Sequence, residues 1–285
     1  MKITQPLKVH GGKRYLASKI VSLFPQHRHY VEPFAGGAAV LLERDPNDPK
    51  LWWPGEKGVS EVLNDISGEL MCFWTVLQTD FTFKFFERYL QATPLSRAEY
   101  NNAIVKPDGD DDYAAYGGLS VVRALKFFVA ARQSLAGRFK GFTSLTRSRL
   151  RRGINGNASE WLGAIDGLPQ VHARLRPVVL ECMDGINLIE REDTPETLFY
   201  CDPPYLDETR TAKSVYEHEM SREDHERLLK VLTRARGKVM LSGYRSGLYD
   251  KALQGWRRVD YSLPNNAAGG KTKRRMTESL WLNYG

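Results

Sequence analysis

Apolar positions follow two different rhythms along this chain. Tyr15 to Phe24 carries apolar residues at helical spacing and is stopped by Pro25. His29-Tyr30-Val31-Glu32 predicts a short strand, which runs through Pro33-Phe34-Ala35-Gly36-Gly37 into a helix opening at Ala38-Ala39-Val40-Leu41-Leu42. Asp45 to Gly58 is rich in Pro, Asp and Gly and reads as a loop. Val59 to Leu63 predicts a second strand, closed by Asn64-Asp65, and Ile66 to Leu77 a helix with an apolar stripe. From about Phe81 to Leu175 the alternation gives way to mainly helical spacing. It then resumes, with strands at Val178 to Leu180, Thr197 to Cys201 and Lys238 to Leu241, and helices over Ile186 to Glu190 and Arg222 to Ala235. Ser221 is placed to cap the last of these, with Asp224 in its first turn. Trp256 to Leu263 and Met276 to Tyr284 pair as a closing antiparallel ribbon. The whole predicts an open α/β sheet whose middle is interrupted by a long, mainly helical insertion.

Composition narrows the class. With 285 residues, 42% of them hydrophobic, the chain can bury a substantial core as one large domain or a domain with an insertion. It has no run of some 18 apolar residues, so no membrane span is expected. The start, Met1-Lys2-Ile3-Thr4-Gln5-Pro6, lacks a basic-then-apolar export pattern, and a cytoplasmic location is expected. Cys72, Cys182 and Cys201 lie far apart without metal-ligand spacing, and they read as buried thiols rather than disulfide or zinc partners. No metal is expected.

Charge is concentrated. Between Arg123 and Ser159 there are nine basic residues (Arg123, Lys126, Arg132, Arg138, Lys140, Arg147, Arg149, Arg151 and Arg152) and no acid, while the rest of the chain holds 34 acids against 32 bases. One segment therefore makes the protein basic. A self-repelling run of this length, interleaved with Phe139, Gly141, Phe142, Ser144, Thr146 and Ser148, suits a phosphate backbone better than a merely solvated helix face. Lys271-Thr272-Lys273-Arg274-Arg275 after a turn-like stretch is a weaker second patch.

Three positions carry candidate chemistry. The glycine turn after the first strand lets backbone approach a ligand closely, but the full GxGxxG cradle for pyrophosphate is missing. Asp65 ends the second strand, where such folds hold a ribose diol; a helix cap for Ile66 to Leu77 is its alternative role. Asp202-Pro203-Pro204-Tyr205 is the most informative. Its two prolines stiffen the backbone and remove two donors, leaving carbonyls and a carboxylate as acceptors at a strand's carboxyl end. An acceptor-only turn matches an exocyclic amino group, and Tyr205 offers a flat face for a base, worth ~1–3 kcal/mol in stacking. No GxxxxGK[ST] phosphate loop is present, which disfavours a nucleotide hydrolase.

In this order the motifs resemble those of the Dam-type (D12 class, alpha group) DNA adenine-N6 methyltransferases: Gly11-Gly12-Lys13, Glu32-Pro33-Phe34-Ala35-Gly36-Gly37, Asn64-Asp65, an insertion, Asp202-Pro203-Pro204-Tyr205, and Glu278-Ser279-Leu280-Trp281 in the final strand. The resemblance implies a Rossmann-like class I methyltransferase sheet, with a discontinuous catalytic domain over 1–80 and 176–285 and an inserted target-recognition domain over 81–175. It implies S-adenosylmethionine as methyl donor and double-stranded DNA as partner. Lys13 would pair with the donor's carboxylate, the segment Glu32 to Gly37 would face its methionine moiety, and Asp65 would hold its ribose. Asp202 and the Pro203 carbonyl would accept from N6 of an adenine flipped out of the duplex, beside Pro204, with Tyr205 stacked on the base.

Arg132, Arg138, Lys140, Arg147, Arg149, Arg151 and Arg152 are the candidate DNA contacts, most of them to phosphate. The family's aromatic residue before the lysine is absent near Val9 and His10, and the stretch Arg138 to Thr143 lacks the Phe-Asn-Val-Pro-like hairpin of enzymes that read GATC, so GATC is not expected as the site. Cytosine-N4 methylation uses the same amino-group logic, although its enzymes more often carry Ser in place of Asp202. A catalytically silent DNA-binding module is the alternative from another class. A cognate restriction enzyme is a partner such an enzyme can have, and a monomer is expected.

Overall fold

The computed structural model describes residues 3–8, 12–105, 120–143, 149–209, 218–264 and 275–285. Its strands, in chain order, are β1 (His29–Glu32), β2 (Ser60–Asn64), β3 (Leu150–Arg151), β4 (Ile154–Asn155), β5 (Val179–Glu181), β6 (Thr197–Cys201), β7 (Lys238–Gly243), β8 (Arg257–Pro264) and β9 (Arg275–Leu282). The helices are α1 (Ala17–Val21), α2 (Ala39–Glu43), α3 (Gly68–Gln78), α4 (Asp80–Ala92), α5 (Arg97–Ile104), α6 (Val121–Gln133), α7 (Gly156–Asp166), α8 (Leu168–Leu175), α9 (Gly185–Glu192), α10 (Arg222–Leu232) and α11 (Gly247–Ala252). Two compact units result: residues 1–23, 36–45 and 67–182 form one, and residues 24–35, 46–66 and 183–285 the other. The first thus takes in short flanking pieces of the N-terminal region as well as the 81–175 segment.

The second unit holds the sheet. Six of its strands run in the order β2-β1-β6-β7-β9-β8. β2, β1, β6 and β7 are mutually parallel, and β9 reverses to pair antiparallel with both β7 and β8. All five residues of β6 are buried, as the centre of a sheet covered on both faces demands, which is why its sequence is a continuous apolar run. Leu188 and Ile189 of α9, Leu228, Leu229 and Leu232 of α10, and Leu253 just beyond α11 pack with Val31, Phe199, Val239 and Leu241 in one core. α10 carries the expected cap, a reciprocal box between Ser221 and Asp224. Trp281, also in this core, is 2% exposed.

The first unit is helical and closes on rings. Phe73 stacks on Phe128 with centroids 5.8 Å apart and meets Trp74 edge-on at 4.9 Å, and Phe128 also lies 5.6 Å from Trp161. One element of this mainly helical stretch is not a helix. β3 and β4 form an antiparallel hairpin joined by Arg152 and Gly153, whose φ values of 52° and 76° are both left-handed. A two-residue turn of this kind ordinarily advertises itself by Asn-Gly or Asp-Gly, and Arg-Gly does not. The expected helix from Ile66 starts later, at Gly68, capped by the Ser67 hydroxyl. Cys182 is exposed, contrary to the expectation of three buried thiols, because it follows directly on the short, largely uncovered strand β5.

In the second unit a buried polar clamp shapes the turn after β1. Asn64, at the end of β2, donates to the Pro33 carbonyl at 2.8 Å and to the Met183 carbonyl at 3.0 Å, and its Oδ1 accepts from the Met183 amide at 3.0 Å. Its own carbonyl accepts from the Ala35 amide at 2.7 Å. Gly185, the first residue of α9, completes the fit: a Cβ there would stand 2.9 Å from both the Pro33 carbonyl oxygen and the Phe34 ring. Gly185→Ala must push the Pro33-Phe34 turn aside, and we expect it to cost about 1–3 kcal/mol. Urea unfolding monitors the loss; an unchanged midpoint would show that the turn yields freely.

Candidate active site

The site is built on the carboxyl edge of the parallel strands, where each strand hands one acid or hydroxyl to the same rim. β1 ends in Glu32, one step beyond the pairing of Val31 with Phe199, which sets it beside Tyr200 of β6. β6 leads out through Cys201 into Asp202, level with Ser242 of β7 through the pairing of Cys201 with Leu241. Because β9 runs the opposite way, its middle meets the end of β7, Gly243 pairing with Ser279, and this brings Glu278 to the same rim. A residue 76 positions downstream of Asp202 thus becomes its neighbour by strand reversal alone.

The polar groups interlock. Tyr205 is 7% exposed, and its hydroxyl reaches three oxygens: Asp202 Oδ1 at 3.1 Å, Ser242 Oγ at 3.3 Å and, in a short contact, Glu278 Oε1. Ser242 also donates to Glu278 Oε1, at 2.9 Å. Glu32, 2% exposed, accepts from the Tyr30 hydroxyl at 2.5 Å. Burial, and then the charges of Asp202, Glu32 and Glu278, push the Tyr200 phenol well above its ordinary value. The same causes, burial first and then Asp202 and Glu278, raise Tyr205. Both phenols are therefore held neutral among carboxylates. Tyr205 also meets Tyr244, the half-buried residue just past β7, edge to face at 4.8 Å.

The expected site residues divide between the two units. In the sheet unit, Pro203 is buried, while Asp202 and Pro204 are half-buried. Pro33 and Ala35 are buried and Phe34 is half-buried in the clamped turn. Asp65 is half-buried beyond β2, and because Ser67 caps α3, the helix-cap role that rivalled ligand binding for Asp65 is already filled. The other unit holds the remainder. Lys13 is 7% exposed in a single 3-10 turn after Gly12, and Gly36 takes a left-handed φ of 46° with no atom within 4 Å of where a Cβ would stand; Gly37 is buried. Val9, His10 and Gly11 lie outside the described residues. Ser242 and Tyr244 belong to none of the sequence motifs, and Glu278 figures in them only as a residue of the final strand. Nothing local in the sequence marks any of the three, since their importance comes from which strand ends they adjoin.

The basic segment is less uniform than its sequence. Arg132 is largely buried, donates to the Glu160 carbonyl at 2.8 Å, and burial pulls its guanidinium down to about 10. Arg123 pairs with Glu69 at 2.5 Å and Arg151 with Glu160 at 3.0 Å, so acids from outside the segment fold back onto it. Arg138, Lys140, Arg149, Arg151 and Arg152 are exposed. Arg147 lies outside the described residues, as do Lys271, Lys273 and Arg274; Arg275 bonds to Ser262. Among the described residues, no group of three or more His, Cys, Asp or Glu side chains could hold a metal ion, and no helix is long and apolar enough to cross a membrane.

Comparison with known proteins agrees with this geometry. Residues 10–265 match the sequence model of the D12 class N6 adenine-specific DNA methyltransferases. Aligned over 312 positions and covering the whole of both chains, the sequence is 23% identical to the type II methyltransferase M.MjaIII of Methanocaldococcus jannaschii. The family decides between the two amino groups the acceptor-only turn could serve, in favour of adenine over cytosine-N4. With its mainly parallel sheet and its Asp-Pro-Pro-Tyr turn at the carboxyl edge, this chain belongs to the D12 class N6 adenine-specific DNA methyltransferase family and is an adenine-modifying DNA methyltransferase.

Proposed function

We propose that the chain methylates N6 of an adenine flipped out of double-stranded DNA, with Asp202 and the Pro203 carbonyl accepting from the amino group and Tyr205 lying against the base. The observation that carries this is the half-buried Asp202, its carboxylate held at 3.1 Å by a buried Tyr205 hydroxyl on a turn stiffened by Pro203 and Pro204. The N6 lone pair is delocalised into the ring, so the amine is a poor nucleophile. Two fixed acceptors favour the tetrahedral nitrogen that develops during attack, and positioning supplies most of the acceleration.

S-adenosylmethionine, used by this family in general, supplies a methyl group on a sulfonium that already carries the positive charge and the leaving group. The donor set of this chain fits it. Glu32 and Asp65 end neighbouring strands as acceptors, whereas a ribose diol and an α-ammonium are donors. Asp65 takes the diol in this reading, the clamped segment Glu32 to Gly37 faces the methionine moiety, and Lys13 pairs with the carboxylate.

For DNA, we assign the hairpin β3–β4 and the exposed Arg138 and Lys140 as the contact surface of a target-recognition domain over 81–175, with the catalytic domain formed by the flanking segments. A two-stranded ribbon has the dimensions of a major-groove reader. This one presents Arg149, Arg151 and Arg152 beside Leu150, which is 71% exposed. Arg132, engaged with Glu160, is not among the contacts we assign. The type II designation of the Methanocaldococcus relative supports a cognate restriction enzyme as the partner activity. A monomer suffices for modifying one strand at a time.

Asp202→Ala should lower the methylation rate by about 10²–10³ while DNA binding survives, as removal of one charge-matched group from an active site generally does. Near-normal transfer of labelled methyl groups by that variant would end the assignment. Changing Arg138, Lys140, Arg149 and Arg152 together to Ser should weaken DNA binding and flatten the slope of log affinity against log salt by roughly 0.9 for each phosphate no longer neutralised. A slope equal to that of the unaltered protein would place the DNA elsewhere.

A further inference from the structure

Alternation along β7 sorts its last residues onto two faces. Gly243 is turned to the core, where a Cβ would stand 3.4 Å from the Trp281 ring and 3.5 Å from that of Tyr249. Ser242 is turned the other way, with its Oγ 3.3 Å from the Tyr205 hydroxyl. Tyr244, two positions further on, meets the ring of that same Tyr205, with centroids 4.8 Å apart and planes at 72°.

The segment that carries Tyr244 is tied down directly behind it. Arg245 donates to the Asp250 carboxylate from two nitrogens, the shorter bond 2.8 Å. Ser246 caps α11 by accepting from the Tyr249 amide at 3.2 Å. Arg258 of β8 also reaches Asp250, at 3.5 Å, and so joins this turn to the edge of the sheet. Tyr244 is therefore fixed at the carboxyl end of β7, one strand over from Asp202. That is the side of an open α/β sheet on which ligands bind.

Tyr205 by itself has little to offer a purine. It is 7% exposed, and its hydroxyl is engaged with Asp202, Ser242 and Glu278. Tyr244 is the less buried of the two. Two rings set close to a right angle form a corner. A flat base seated there lays its face on one ring and turns an edge to the other, and aromatic edges carry the positive charge that a ring face attracts. We propose that Tyr244 is a base-binding residue, which forms with Tyr205 the aromatic corner that takes the flipped adenine while Asp202 and the Pro203 carbonyl hold N6. The proposal rests on the reading of Asp202 and Tyr205 as the groups that meet the base.

A purely supporting role for Tyr244 asks only for an apolar side chain against Tyr205, whereas contact with the base asks for a ring. Tyr244→Leu separates the two. The test uses the full chain with S-adenosylhomocysteine and two duplexes of the sequence that the unaltered protein methylates, identified by modified-base sequencing. One duplex carries the target adenine in a mispair, so that it flips readily, and the other an abasic residue in its place. Tyr244→Leu should bind the first at least about fivefold more weakly than the unaltered protein does, and the second within about twofold, since only the first has a ring to lose. Equal weakening on both duplexes would mark Tyr244 as a support, and undiminished binding to both would leave it no role with the base. Either result overturns the proposal. If Tyr244→Leu fails to fold, Tyr244→Trp decides. The added tryptophan emission, taken against the unaltered protein, should fall with the adenine duplex and stay unchanged with the abasic one; the same emission with both overturns the proposal. If the unaltered protein puts no methyl on adenine N6, the reading of Asp202 has failed and the aromatic corner falls with it. Methylation together with full binding by Tyr244→Leu would instead leave that reading standing and refute the role of Tyr244 alone.

Discussion

Carboxylates taken out of water must be answered by donors, and that requirement organises the working edge of this protein. Glu32 and Glu278 are all but inaccessible to solvent, with Asp202 half-buried beside them. Unanswered, each would cost several kcal/mol or take up a proton. Hydroxyls are part of the answer: Tyr30 donates to Glu32, and Tyr205 and Ser242 donate to Glu278. A neutral donor stabilises an acid without neutralising it, which suits a rim that must bind donor groups.

The same edge must hold its shape while a substrate is gripped, and rigidity comes from two opposite devices. At the Asp202-Pro203-Pro204-Tyr205 turn, consecutive prolines restrict the backbone and delete donors. At the turn after β1, the restraint is external: Asn64 bonds to Pro33 and Met183, and Gly185 lets α9 come close enough to touch Phe34. The first device is written in adjacent residues. The second is assembled from segments some 30 and 120 positions apart, and its glycine is needed because of what it touches rather than because of its own dihedral angles.

The helical unit shows how folding redistributes charge. Read along the chain, the segment from Arg123 to Ser159 is a uniform run of cations. Folded, Glu69 and Glu160 cover part of it and Arg132 turns inward, while the hairpin and the Arg138–Lys140 bend remain outside. A cation that must be buried finds a carbonyl or an acid; one on a two-residue turn has nowhere to go but solvent. The charge available to a polyanion is thus smaller than the sequence total, and it is gathered on fewer elements.

Local signals carried most of the architecture. The apolar run of β6, the capping box of α10, the closing antiparallel ribbon and the order of the motifs were all legible, because each depends on neighbouring residues whose spacing matches a strand, a helix or a turn. So was the Asp-Pro-Pro-Tyr turn, whose chemistry is contained in four consecutive positions. The hairpin at Arg152-Gly153 is not legible because an arginine in left-handed backbone has no local signature, and the exposure of Cys182 is not legible because it depends on what covers a strand. Only the tertiary structure brings Ser242, Tyr244 and Glu278 to the rim where Asp202 and Tyr205 lie. Strand order and the reversal of β9 create that adjacency, and a one-dimensional pattern carries no information about which strand ends will meet.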